Sequence, residues 1–202
     1  GKPALKYIKQ VGYEIELGRA LNPDRDSRAT MWGTLVEYKA FEHLGLDYSP
    51  TSQHRVFHPD YPFWSGATDV LKEDSTGDIK CPFSLEVFCD KIKALQSGLE
   101  VYKNEYPEDY WQHGSNCILN NKPFFEPIIY VPYQSELESI RAMAGLDESK
   151  YKWITYAEDK ELPYLLDGGN QKNLNIFRFE FPKEDKEFLT AKIIEAGKLL
   201  NA

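Results

Sequence analysis

The stretch SGATDVLKEDSTGDIKCPF, residues 65–83, places two aspartates and a lysine where a β-hairpin is expected. Residues two apart on a strand share a face, so Asp78 and Lys80 lie together while Ile79 points into the opposite layer. Asp69 stands on the preceding strand, across a turn of Glu73, Asp74, Ser75, Thr76 and Gly77, and antiparallel pairing brings it to Asp78. Two carboxylates that close repel, and one is pushed toward its protonated form unless a cation sits between them. A hard divalent cation such as Mg²⁺, with Mn²⁺ as its substitute, takes oxygen ligands of this kind, and the main-chain carbonyl of Ile79 would complete the set. Lys80 beside a metal-bound water would orient or deprotonate it and stabilise charge on a phosphate.

The same acid-x-lysine triplet occurs at Glu37/Lys39, Glu148/Lys150, Glu158/Lys160 and Glu184/Lys186, but those stretches read as helices, where residues two apart do not share a face. Glu37 is the third acid of interest. On a helix over 29–44 it shares a face with Phe41 and Leu44, one turn after Gly33, and a carboxylate on an apolar stripe needs a partner. It reads either as a third ligand or as a half-exposed acid at the edge of the stripe. Taken singly, Asp69 reads as a turn aspartate and Asp78 as a lysine-paired surface acid; their joint arrangement points to a site.

The elements that must position these residues follow from periodicity. PALKYIKQVGYEIEL is a helix opened by Pro3, and ATMWGTLVEYKAFEHL is a second that ends at Gly45. Strands are expected at 53–57, 65–72 and 77–81. Ser84 caps a long helix that Gly98 interrupts, and a helix in PEDYWQHGSNCILN follows. FFEPIIYVPY is an apolar strand in which Pro127 indicates an edge or a bulge. Residues 134–174 read as one or two polar helices and a loop, NLNIFRFEF as a strand, and KEDKEFLTAKIIEAGKLL as an amphipathic helix. This order predicts an α/β domain over residues 1–202, a restriction-endonuclease-like core with a central mixed sheet flanked by helices.

With 42% hydrophobic and 14% aromatic residues, the 202-residue chain can bury a core of its own. No run approaches the ~18 apolar residues of a membrane span, so a soluble protein of the cytoplasm with no membrane partner is expected. The chain opens on Gly1-Lys2 without a methionine, so residues upstream could be missing. Cys81, Cys89 and Cys117 make neither a CxxC pair nor an even disulfide set, which disfavours a zinc or iron–sulfur site. A net charge of −8 argues against a protein that simply coats nucleic acid, but not against an enzyme whose carboxylates hold metal ions. The histidines His43, His54, His58 and His113 lack metal-ligand spacing and read as structural, and DGGN at 167–170 reads as a turn.

MWGTLVE on the second helix, SGATD, GDIKCPFS and YWQHG together resemble, in order and spacing, the PD-(D/E)XK nucleases of the lambda exonuclease/YqaJ viral recombinase group. The resemblance runs from about Met31 to Pro132. It implies a catalytic centre at Glu37, Asp69, Asp78 and Lys80, with the Ile79 carbonyl on one or two metal ions. Gln112 matches the first glutamine of the group's Gln-x-Gln motif; Gly114 stands at the second. The implied activity is Mg²⁺-dependent hydrolysis of DNA, 5′→3′ from double-stranded ends, in phage-type recombination within a bacterial host cell. A single-strand annealing protein as partner and a ring-shaped homotrimer are implied with it.

Contacts to DNA are expected from Ser84, Lys91, Lys93 and Trp64. Lys91 and Lys93 read more readily as solvated helix positions, and Trp64 more readily as packing. The arginine that binds the 5′-phosphate in lambda-type members has no counterpart by motif, though Arg19, Arg25 and Arg28 are of the right type. A structure-specific endonuclease or repair nuclease of the same fold, and a non-catalytic DNA-binding protein, are the alternative functions.

Overall fold

The computed structural model describes residues 2–21, 27–45, 49–50 and 55–200. Two helices come first, α1 (Lys2–Leu17) and α2 (Arg28–His43). The Oγ of Ser27 accepts the Thr30 N–H at 3.1 Å and caps α2. Five strands follow: β1 (Ser49–Pro50), β2 (Val56–Phe57), β3 (Ser65–Gly66), β4 (Val70–Leu71) and β5 (Ser75–Lys80). Next are α3 (Leu85–Ser97), capped by Ser84, α4 (Leu99–Glu105) and α5 (Pro107–Leu119). Gly98, with φ +108°, is the break expected between α3 and α4; that conformation suits a residue without a Cβ. Then come β6 (Phe124–Tyr130), α6 (Leu137–Gly145), α7 (Glu148–Thr155), β7 (Leu174–Ile176), β8 (Phe179–Glu180) and α8 (Lys183–Leu200).

The main sheet runs β1-β4-β5-β6-β7, with β8 also on β6, and β2 and β3 form a separate ribbon. Among the strands of the described residues only β5 and β6 pair in parallel, and α3, α4 and α5 provide the crossover that a parallel pair requires. Alternation along β6 serves two cores. Ile128 and Tyr130 meet Trp32, Leu35 and Val36 of α2 with α6 and α7, while Phe125, Ile129 and Val131 meet Phe88, Tyr102 and Tyr110 from the crossover. Ile79 joins the α2 side, as alternation requires, so the sheet face carrying Asp78 and Lys80 is the one turned toward the crossover helices.

Three expectations are corrected. The strand expected at 65–72 is two strands: Ser65–Gly66 pairs with β2, Val70–Leu71 pairs with β5, and the chain changes partner between them. β5 begins at Ser75, two residues early, because the Lys72 N–H closes the turn onto the Ser75 carbonyl at 2.9 Å. Of the strand expected at 53–57, residues 53 and 54 lie outside the described residues. Pro127 is neither at an edge nor in a bulge; it sits in the central strand. The Phe177 N–H donates to its carbonyl at 3.1 Å, and β7 and β8 hold one register either side of it. The N–H that proline lacks is the one that would answer Phe177, so a single expected strand, NLNIFRFEF, is split in two.

Candidate active site

The β4–β5 hairpin sets the register Val70↔Gly77 and Leu71↔Thr76, so the next pair toward the open end is Asp69 with Asp78. Gly77 is needed there, because a Cβ on it would stand 2.2 Å from Cγ2 of Val70. The Gly77 carbonyl accepts the Asp69 N–H at 3.1 Å and the Thr68 hydroxyl at 2.7 Å, and the Ile79 N–H donates to Asp69 Oδ2 at 2.7 Å. The Asp69 carboxylate is thus fixed by main-chain geometry, and Asp78 follows opposite it in the ladder.

Asp78 is buried, and its Oδ2 lies 2.6 Å from Lys80 Nζ. Gln112 bridges the pair: its Nε2 donates to Asp78 Oδ1 at 3.1 Å, and its Oε1 accepts from Lys80 Nζ at 3.1 Å. Glu37 reaches the same charges from α2. Burial first, and then the Asp78 carboxylate, raises the Glu37 pKa, with Lys80 opposing. Asp69 is raised from 3.8 to about 7, again by burial and then by Asp78, against the stabilising Ile79 N–H. For Lys80, burial pulls the pKa down, but Asp78, Asp109 and Asp69 carry it above the ordinary value. Lys80 is therefore an ammonium at neutral pH, suited to donating hydrogen bonds and stabilising developing negative charge rather than to removing a proton.

An open cleft of about 460 Å³ runs past Thr30, Gly33, Glu37, Lys80, Val87 and Lys91. Cys81 also lines it, but burial pushes its thiol far up, so it is no nucleophile at neutral pH. Three clustered carboxylates, one of them held near pH 7 by burial and like charge, share one cation in Lys80. That excess of hard oxygen donors fits a divalent metal ion. Among the described residues, no three His, Cys, Asp or Glu side chains already close on a common point.

The other sequence candidates are dispersed. Ser84 is exposed and caps α3, its Oγ accepting the Val87 N–H at 3.3 Å. Lys93 is exposed and only 3.8 Å from Asp90. Lys91 is not a solvated helix position: it is buried and pairs with Asp109. Trp64 is not available to stack on a base, because it is buried, lies parallel to His58 at 4.9 Å and donates to Ser115 Oγ at 2.8 Å. His113 stands beside Gln112 in the chain but belongs to the core. It stacks on Phe125, its Nε2 is 3.1 Å from the Tyr102 hydroxyl, and burial lowers its pKa to about 4. Gly114, at the second glutamine position, faces Phe181, whose ring would stand 2.3 Å from a Cβ, so no longer side chain fits there.

Sequence reasoning missed Thr68, Asn116 and Asp109. Asn116 Nδ2 donates to the Ala67 carbonyl at 3.0 Å, tying α5 to the segment that leads into Asp69. Asp109, Gln112, His113 and Asn116 recur three and four apart along α5, a polar stripe visible in the sequence, although its partners are not.

The mixed sheet between two helical layers is the α/β fold of a group of solved exonucleases. One is the alkaline exonuclease LHK-Exo from Laribacter hongkongensis, 14% identical with a TM-score of 0.59 over 98% of this chain and 81% of that one. LHK-Exo in complex with dAMP aligns with the same identity and score over 97% of this chain and 76% of that chain. A phage-related exonuclease from Haemophilus somnus 129PT is 12% identical with a TM-score of 0.64, over 96% of this chain and 79% of that one. No family model matches the chain, and no curated protein matches its sequence. No helix among the described residues is long and apolar enough to cross a membrane.

Proposed function

We propose that the protein is a metal-dependent DNA exonuclease that hydrolyses phosphodiester bonds from double-stranded ends, 5′→3′, in phage-type recombination. One observation carries the reading: Asp69, Asp78 and Lys80 converge on one hairpin end, bridged by Gln112 and faced by Glu37, on a fold shared with solved exonucleases. The complex of one such exonuclease with dAMP supports a deoxyribonucleotide substrate.

In this reading Asp69, Asp78, Glu37 and the Ile79 carbonyl would hold one or two Mg²⁺ ions, with Mn²⁺ able to substitute. When bound, the metal supplies a Lewis acid for the phosphate and lowers the pKa of a coordinated water. Lys80, held cationic, stabilises negative charge as it develops on the phosphate, and Gln112 fixes the Lys80 ammonium relative to Asp78. Gly33 leaves the cleft wall beside Glu37 without a side chain. The reading extends to a homotrimer and to an annealing protein that takes the exposed strand.

The test is digestion of duplexes labelled at one end or the other, with and without a 5′-phosphate, beside a covalently closed circle. Loss of the 5′-labelled strand first, with the circle intact, is expected. Cutting of the circle would indicate an endonuclease, and binding without cutting a non-catalytic protein.

A further inference from the structure

Lys91 lies on the buried stripe of α3 with Phe88, Ile92 and Leu95, and at 8% exposure it is the only buried lysine or arginine among the described residues. A lysine gives up hydration there that an apolar residue would not, and the site must compensate it. Its ammonium pairs with Asp109 in the first turn of α5 and lies 4.8 Å from the centroid of the Tyr106 ring. One turn further along α5 is Gln112.

The polar face of α5 is anchored at four points. Asp109 holds α3, Gln112 holds β5, His113 holds Tyr102 of α4, and Asn116 holds the Ala67 carbonyl. Gln112 is itself exposed, so packing does not fix its side chain. Its place between Asp78 and Lys80 follows from where the first turns of α5 stand, and the Lys91–Asp109 pair is the anchor nearest to it on the N-terminal side.

We propose that Lys91 and Asp109 are a positioning pair: they lock the N-terminal turn of α5 against α3 and so hold Gln112 across Asp78 and Lys80. The inference rests on the nuclease reading and adds to it a pair that acts through Gln112. Misplacing a catalytic group by about 1 Å can cost about a hundredfold in rate. Breaking one partner of a buried pair leaves an uncompensated charge that the helix must move to relieve.

The test uses Lys91→Met, Asp109→Asn and the conservative Lys91→Arg in the full chain. The Lys91→Met and Asp109→Asn proteins should lose about tenfold to a hundredfold in kcat on linear duplex, with KM within about twofold, while Lys91→Arg keeps most of the rate. A raised KM with unchanged kcat would overturn the proposal and make Lys91 a DNA-phosphate contact. Wild-type kcat in folded variants would overturn it too and make the pair merely structural.

A second readout needs no activity. The side-chain amide resonance of Gln112, assigned by its loss in Gln112→Ala, should move in Asp109→Asn protein free of metal and DNA, and an unmoved resonance would overturn the proposal. If wild-type protein cuts no DNA, the nuclease reading fails, and the Gln112 resonance still decides the positioning. If Lys91→Met does not fold, Asp109→Asn carries both measurements.

Discussion

Asp69→Asn should give a protein that is inactive and more stable. The Asp69 carboxyl is raised from 3.8 to about 7 by burial and by Asp78. A shift of about three pH units, at about 1.4 kcal/mol each, means that ionising Asp69 costs the folded state about 4 kcal/mol. Asparagine removes that cost but is a weaker acceptor for the Ile79 N–H, so a net gain of about 3 kcal/mol is expected. The sign follows from linkage. The folded carboxyl keeps its proton up to about pH 7 while the unfolded one loses it near 3.8, so the contribution of Asp69 to wild-type stability is full below about pH 4, falls up to pH 7 and is level above. The variant lacks this titration, and its advantage opens across that window. Urea unfolding followed by tryptophan fluorescence, in chelator at about pH 4.5 and about pH 8, reads it directly. An m-value of about 2 kcal/mol/M turns about 3 kcal/mol into a midpoint shift of roughly 1.5 M at the higher pH, and much less at the lower. An equal gap at both pH values, or a variant less stable at the higher one, would mean that ionised Asp69 does not destabilise the folded acid cluster.

Gly77→Ala should destabilise the hairpin by about 1–3 kcal/mol, read as a lower melting temperature, because Val70 already occupies the space of the new methyl. Gly114→Gln, which restores the second glutamine of the motif, should lower stability by at least as much and add no activity, since its Cβ meets the Phe181 ring. Trp64→Phe should cost about 1 kcal/mol through loss of the bond to Ser115, with an unchanged KM for DNA; a raised KM would return Trp64 to the DNA surface.

The hairpin of the candidate site was legible because strand alternation is strict: once residues 77–81 read as a strand, Asp78 and Lys80 had to share a face, and the turn placed Asp69 opposite. Side of pairing was not legible. Pro127 lacks an N–H, and nothing in a sequence says that the missing donor falls toward β7 and β8 rather than toward solvent. Lys91 shows the same gap between local and tertiary information. It reads as a DNA contact or a solvated helix position, and what makes its burial beside Phe88 and Leu95 tolerable is Asp109, eighteen residues away on another helix. Trp64 likewise found its partner in Ser115, fifty-one residues on. The resemblance placed Gln112 near the site; its span from Asp78 to Lys80 needed the packing of α5 on β5.

The proposed nuclease site is tested by release of acid-soluble nucleotide from linear duplex in Mg²⁺ by wild-type protein beside Asp78→Asn, both shown to be folded. Among the described residues, Asp78 is the acid that touches both Lys80 and Gln112 and raises both Glu37 and Asp69. Mg²⁺-dependent release by the wild type is expected, with a fall of at least about a thousandfold in the variant, the scale of removing a main electrostatic contributor to catalysis. Equal release by the folded Asp78→Asn protein would contradict the assignment.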